Sequence, residues 1–86
     1  MGAPRVLMYA VDWCSYCSRA RSLLASKGVT LEEIDVEAVP GALEEMIGRS
    51  GGRCSVPQIF IGDRHIGGSD ELYALDAAGD LDPLLK

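Results

Sequence analysis

The first apolar run of the chain, Val6-Leu7-Met8-Tyr9, is short, and after it the hydrophobic spacing turns helical. A run of this length is that of a buried strand, so a strand is placed from Arg5 to Tyr9. Beyond it, Tyr16, Ala20, Leu23 and Leu24 recur at helical intervals along one stripe, and Gly28 ends that helix. Val29 to Val36 alternates in part and reads as a second strand. Strand, helix and strand in this order predict a parallel pair with a right-handed crossover. Pro40 to Ser50 is expected to be a second helix, with Pro40 in its first turn and Leu43, Met46 and Ile47 on one face. Gly51-Gly52 follows its end. The period then changes to two: Gln58 to Ile61 and His65 to Gly67 predict a hairpin around Gly62-Asp63-Arg64. A third helix starts near Ser69-Asp70, carries Leu72 and Leu75, and stops at Gly79. Asp82 to Leu85 predicts one terminal turn, with Asp82 as its cap.

These elements fit one α/β domain spanning residues 1–86. Hydrophobic residues make up 48% of the chain and aromatic residues only 6%, which describes a core of Leu, Ile, Val and Ala. A chain this short buries ~60–65% of its extended surface and has no room for a second core. Its net charge of −5 leaves no basic stripe to displace counterions, so nucleic acid is excluded as a partner. Arg19 and Arg21, the closest-spaced basic pair, read as a solvated helix face. No apolar run reaches membrane-spanning length, so no membrane partner is expected. Three cysteines, two of them in one tetrapeptide, and no leader-like start point to a reducing compartment, the cytoplasm.

That tetrapeptide, Cys14-Ser15-Tyr16-Cys17, stands where the first strand gives way to the first helix. Residues three apart at a helix start share a face, and a first cysteine in the non-helical cap position can swing close enough to bond the second. The free N–H groups and positive dipole end of the helix favour negative charge on the first sulfur, so Cys14 is expected to ionise below the ordinary thiol value of about 8.5. Cys17, one turn inside, is placed to resolve rather than attack. A zinc site that adds Cys54 and His65 competes with this reading, but 36 residues separate Cys17 from Cys54 and ten more lie before His65. Structural zinc sites bring their second pair closer together. A purely structural disulfide across so short a loop would remove little unfolded-state entropy.

Three stretches in register, Trp13-Cys14-Ser15-Tyr16-Cys17, Ser55-Val56-Pro57-Gln58-Ile59-Phe60-Ile61 and Ile66-Gly67-Gly68-Ser69-Asp70, resemble a dithiol glutaredoxin of the thioredoxin superfamily. The likeness covers nearly the whole chain, and the ending through Leu84-Leu85-Lys86 looks like bacterial glutaredoxins. It implies a thioredoxin-like α/β fold, a four-stranded mixed sheet flanked by helices, with a cis Val56–Pro57 peptide facing the cysteines. It also implies a glutathione-dependent thiol–disulfide oxidoreductase acting on disulfide-containing and glutathionylated proteins, with Cys14 as nucleophile and Cys17 as resolving thiol. Glutathione is then expected along Tyr16, Arg53, Val56, Pro57, Gly68, Ser69 and Asp70. The Val56 backbone pairs with the ligand's cysteine like an added strand. Gly67 and Gly68 permit close approach, the helix start takes the γ-glutamyl carboxylate, and Asp70 accepts from the ammonium.

The chain departs from the family pattern at several of these points. Many relatives grip glutathione's glycine carboxylate with a Lys three residues before the first cysteine and an Arg or Gln in the second helix. Here Val11 and Leu43 stand at those positions, and Asp12 adds a negative charge. Arg53, or failing it Arg49, is expected to supply the cation. Ser15 replaces the commoner Pro, which loosens the first turn. Some glutaredoxins with Cys-Ser-Tyr-Cys hold a [2Fe–2S] cluster between two subunits, so the alternative to a monomeric reductase is a cluster-bridged homodimer with Cys14 as iron ligand. Trp13 fits that likeness or serves as an apolar ring beside the site. A further alternative is a glutaredoxin-like thioredoxin reduced by a flavoprotein reductase. Cys54 reads as a small loop or core residue, or as a third thiol open to glutathionylation. His65 has no evident base partner and receives no catalytic role.

Overall fold

A computed structural model describes residues 4–86. The strand β1 (Val6–Ala10) sends Val6, Met8 and Ala10 into one core and Tyr9, with Leu7, into another. That is the period-two alternation of a strand buried on both faces. β2 (Leu31–Asp35) runs parallel to it, Val6 opposite Leu31 and Ala10 opposite Asp35. β3 (Gln58–Ile61) lies antiparallel on the other side of β1, and β4 (Arg64–Gly67) completes a mixed sheet of order β2-β1-β3-β4.

The helices α1 (Ser15–Ser26) and α3 (Ser69–Ala77) cover the Val6-Met8-Ala10 face. Cys17, Ala20 and Leu24 of α1 and Leu72 of α3 pack there against Ile59 and Ile61, and the short α4 (Leu81–Leu84) adds Leu81. On the other face, α2 (Ala42–Arg49) brings Met46 against Tyr9 and Phe60. Each fully buried Leu, Ile or Met contributes about 1.5–3 kcal/mol of transfer free energy. The outer strand β2 turns Glu32 and Glu33 to solvent, charges that discourage edge-to-edge pairing. Among the described residues no helix is long and apolar enough to cross a membrane.

The element bounds differ from the sequence reading where pairing or caps decide them. β1 excludes Arg5 and includes Ala10, because Ala10 still pairs with Asp35. β2 omits Val29 and Thr30, which precede the first partner on β1. The hairpin turn is only Gly62-Asp63, so Arg64 belongs to β4. Pro40 lies outside α2 in a turn, because Gly41 caps that helix in a left-handed conformation, φ 81°, which a right-handed helix cannot contain. Asp82 lies inside α4, whose cap position is Asp80. Its carboxylate is drawn instead to Lys27 Nζ at 2.9 Å, beside Asp76 at 2.6 Å.

Candidate active site

The dithiol sits where the sequence places it, between the end of β1 and the first turn of α1. Cys14 is the cap residue, with extended backbone (φ −89°, ψ 122°), and its carbonyl accepts from the Ser18 N–H. It is half-buried, whereas Cys17 has no exposed surface, and both are free thiols. Partial burial pushes the Cys14 thiol up. The Cys17 N–H, the Cys17 thiol, the Tyr16 N–H and the charge of Arg21 together outweigh that burial, so Cys14 ionises below the ordinary thiol value. Cys17 moves the other way, to about 11: burial is the largest cause, and the neighbouring Cys14 adds to it against the pull of the Val11 N–H and Arg21. The two thiols are therefore unequal at neutral pH, one partly accessible and shifted toward the thiolate, the other buried and held protonated.

Two residues beyond Cys14, Tyr16 forms one wall of an open groove of about 200 Å³. The groove gathers all seven residues expected to bind the ligand, Tyr16, Arg53, Val56, Pro57, Gly68, Ser69 and Asp70, from four separate stretches of the chain. The Val56–Pro57 peptide is cis, as expected. Ser69 begins α3 and is buried, while Asp70 is exposed at the same helix start. Gly67 has φ 116°, which favours glycine, and a Cβ there would fall 2.5 Å from Glu71 Oε1 and displace that carboxylate.

Glu71 and Ser55 also line the groove, and the sequence reading missed both. Glu71 Oε1 accepts from the Gly68 N–H at 2.6 Å and from Arg53 Nη2 at 3.2 Å. These contacts, the Gly68 N–H foremost, hold its carboxyl below the usual carboxylate value. An acid three residues after a helix cap is a legible sequence signal for the first contact; nothing local signals the second.

Of the two cations offered in place of Lys, Arg53 lies in the groove and Arg49 does not. Arg49 donates to Tyr9 Oη at 2.9 Å and rests 4.3 Å over the Phe60 ring, on the sheet face that α2 covers. Val11 is buried and Leu43 is exposed, and neither lines the groove. The pair read as a solvated face is also divided. Arg19 is exposed beside the Tyr73 ring at 5.0 Å, but Arg21 is drawn inward to Glu33 and the Val11 carbonyl. Trp13 stands out from the surface, 74% exposed, its indole N–H donating to Glu37 Oε1.

Cys54 is exposed on the loop before β3, which settles loop against core for that residue. His65 packs on Phe60 with Nε2 2.7 Å from Gln58 Oε1, and burial, reinforced by Arg53 and opposed by Glu71, lowers its pKa. Among the described residues no three His, Cys, Asp or Glu side chains are grouped to hold a metal, so the zinc reading gains nothing from the fold.

A glutaredoxin family model matches residues 6–66. Glutaredoxin 3 of Escherichia coli (strain K12) is 57% identical over 81 residues, 94% of this chain and 96% of the relative. The solution structure of a glutaredoxin from Brucella melitensis superposes with a TM-score of 0.85 at 50% identity, covering 100% of this chain and 92% of that one. The crystal structure of a buckwheat glutaredoxin–glutathione complex gives a TM-score of 0.86 at 28% identity, over 96% of this chain and 76% of that one. With unequal thiols at a helix start, the expected fold, and identity at this level along nearly its full length, the chain belongs to the glutaredoxin family of thiol–disulfide oxidoreductases.

Proposed function

We propose that this protein, acting in a reducing compartment such as the cytoplasm, reduces protein–glutathione mixed disulfides and protein disulfides with glutathione as electron donor. The carrying observation is the partly accessible, acid-shifted Cys14 beside a groove built from a helix start, the segment leading into β3 and one arginine. With a mixed-disulfide substrate, the Cys14 thiolate attacks the glutathionyl sulfur, the protein sulfur leaves with the bonding electrons and takes a proton, and Cys14 carries the glutathionyl group. A second glutathione thiolate attacks that sulfur and leaves as glutathione disulfide, regenerating Cys14. With a protein disulfide, Cys14 forms a bond to one substrate sulfur. Cys17 then attacks Cys14, freeing the substrate and leaving a Cys14–Cys17 disulfide for glutathione to reduce.

The groove suits the ends of that tripeptide. The start of α3 offers N–H groups at Ser69 and Asp70 to the γ-glutamyl carboxylate. Asp70 takes the ammonium, the Val56 backbone pairs with the cysteine, and Arg53 takes the glycine carboxylate. Arg53 spends one N–H on Glu71 and has others to offer. The buckwheat relative is a glutathione complex, and its overall fold matches this one. Parallel assays with glutathione plus glutathione reductase and with a flavoprotein thioredoxin reductase test the donor. Turnover should follow glutathione, and turnover only with the flavoprotein would make the chain a glutaredoxin-like thioredoxin.

A second reading, the glutathione-ligated [2Fe–2S] homodimer, is favoured by Ser15 as the first residue of α1, beside a partly accessible Cys14 thiol. One chain offers one such thiolate, so the remaining ligands would come from glutathione and a second chain.

A further inference from the structure

Arg21 lies four residues beyond Cys17 on α1, and residues at this spacing share a face. Helical side chains lean toward the N-terminus, which carries the guanidinium back toward the thiols. There Nη2 donates to the Val11 carbonyl at 3.3 Å and Nε to Glu33 Oε1 of β2 at 2.7 Å. The Val11 N–H faces the Cys17 sulfur. Val11, the first residue after β1, is thus held through its carbonyl by Arg21 and through its N–H against Cys17.

Arg21 also borders a hollow of about 110 Å³ with Asp12 of the cysteine loop and Glu33 and Asp35 of β2. Among the described residues, these together with Cys14 and Cys17 are the titratable groups facing it, and it is the cation whose attraction reaches both sulfurs. The need for such a cation is greater at Cys17. With no exposed surface, that sulfur ionises where water does not solvate it.

We propose that Arg21 is a positioning residue for the resolving step: anchored by Glu33, it sets positive charge behind Cys17 and fixes the Val11 backbone against it. This rests on the roles given to Cys14 and Cys17. In the step, the Cys17 sulfur attacks Cys14 and its proton passes to the departing substrate sulfur. The Cys14–Cys17 bond forms as the Cys14–substrate bond breaks, and the substrate sulfur leaves with the electron pair and takes up a proton. Reduction of a small glutathione mixed disulfide by Cys14 alone bypasses this step, so the two reactions depend on Arg21 to different degrees.

The test isolates the mixed disulfide of Cys14 with a small protein thiol, in a Cys54→Ser background that removes the exposed third thiol, and follows resolution by rapid quench. Arg21→Gln should slow resolution at pH 7 roughly three- to tenfold. Tenfold is one decade of thiolate fraction, and about threefold remains once the greater nucleophilicity of a more basic thiol is counted. Arg21→Lys, which keeps the charge, should recover most of the rate. Glu33→Gln, which frees the guanidinium from its anchor, should slow resolution in the same direction and serves if Arg21→Gln does not fold. In a Cys17→Ser background, Arg21→Gln should slow turnover of the small mixed disulfide by a smaller factor. Equal slowing of both reactions, an unchanged resolving rate, or no recovery in Arg21→Lys overturns the proposal. Loss of small-substrate turnover in Cys17→Ser itself would instead overturn the thiol roles beneath it.

Discussion

Replacing Gly67 by Ala strikes the point where β4 hands over to α3, against the groove residues Glu71 and Arg53. At φ 116° a residue with a side chain is strained, at a cost of about 1–3 kcal/mol. The added methyl would lie 2.5 Å from Glu71 Oε1, 3.0 Å from its Cγ and 3.1 Å from Arg53 Nη1, so the carboxylate has to move. Moving it gives up the charge-assisted bond from the Gly68 N–H, worth about 1.5–3 kcal/mol when buried. That figure shrinks here because the Glu71 side chain is 46% exposed. The pair with Arg53, exposed on both sides, adds ~0–1 kcal/mol. The sum is about 2–4 kcal/mol, and at roughly 4–8 °C per kcal/mol for a chain of this size the melting temperature should fall by ~8–32 °C. Thermal melts read this directly, and the KM for glutathione should rise in parallel because Arg53 loses its partner. Glu71→Ala measures the carboxylate's share alone. In the double variant the methyl meets no carboxylate, so the two losses should be less than additive. A Gly67→Ala protein that melts within about 2 °C of the native one, with an unchanged KM, would refute the reasoning.

Cys14→Ser should abolish turnover of a small glutathione mixed disulfide while Cys17→Ser retains it. Because the folded pKa of Cys14 is lowered and that of Cys17 raised to about 11, alkylation at pH 7 should label Cys14 and spare Cys17, and equal labelling would contradict the assignment. Asp70→Ala should weaken glutathione binding by roughly 1.5–3 kcal/mol, the loss of one charge-assisted contact, with little change in melting temperature, since Asp70 is exposed. An unchanged KM would move the γ-glutamyl site elsewhere. Anaerobic reconstitution with iron, sulfide and glutathione tests the cluster reading: a coloured dimer from the native chain and from Cys17→Ser, absent in Cys14→Ser and Ser15→Pro, is its expected result. A native protein that stays colourless and monomeric discards it.

Much of this protein follows from local pattern. The buried run at Val6 to Tyr9, the stripe from Tyr16 to Leu24 and the period-two segments around Gly62 correspond to β1, α1 and the β3–β4 hairpin, because strand and helix periodicity act between residues a few positions apart. The inequality of Cys14 and Cys17 is local too, since it depends on which cysteine caps the helix and which lies a turn inside it. The ligand groove was legible only through resemblance: Tyr16, the segment Arg53 to Pro57 and the segment Gly68 to Asp70 lie far apart along the chain, and no spacing rule joins them. Where local signals misled, a contact distant in sequence or a left-handed glycine decided the matter. Gly41 moved the start of α2 past Pro40, and Lys27 took the Asp82 carboxylate.

What tertiary structure alone decided is the pairing of charges. By sequence, Arg21 reads as part of a solvated helix face, and Arg53, or failing it Arg49, as the cation for the glycine carboxylate. Folding sends Arg49 to Tyr9 on the face covered by α2, Arg53 to Glu71 in the groove, and Arg21 to Glu33 beneath the dithiol, across separations of 40, 18 and 12 residues. Coulomb attraction and hydrogen bonding act over a few ångströms of space without regard to chain distance. A guanidinium's role is therefore set by the side chains that the sheet and its helices bring within that reach.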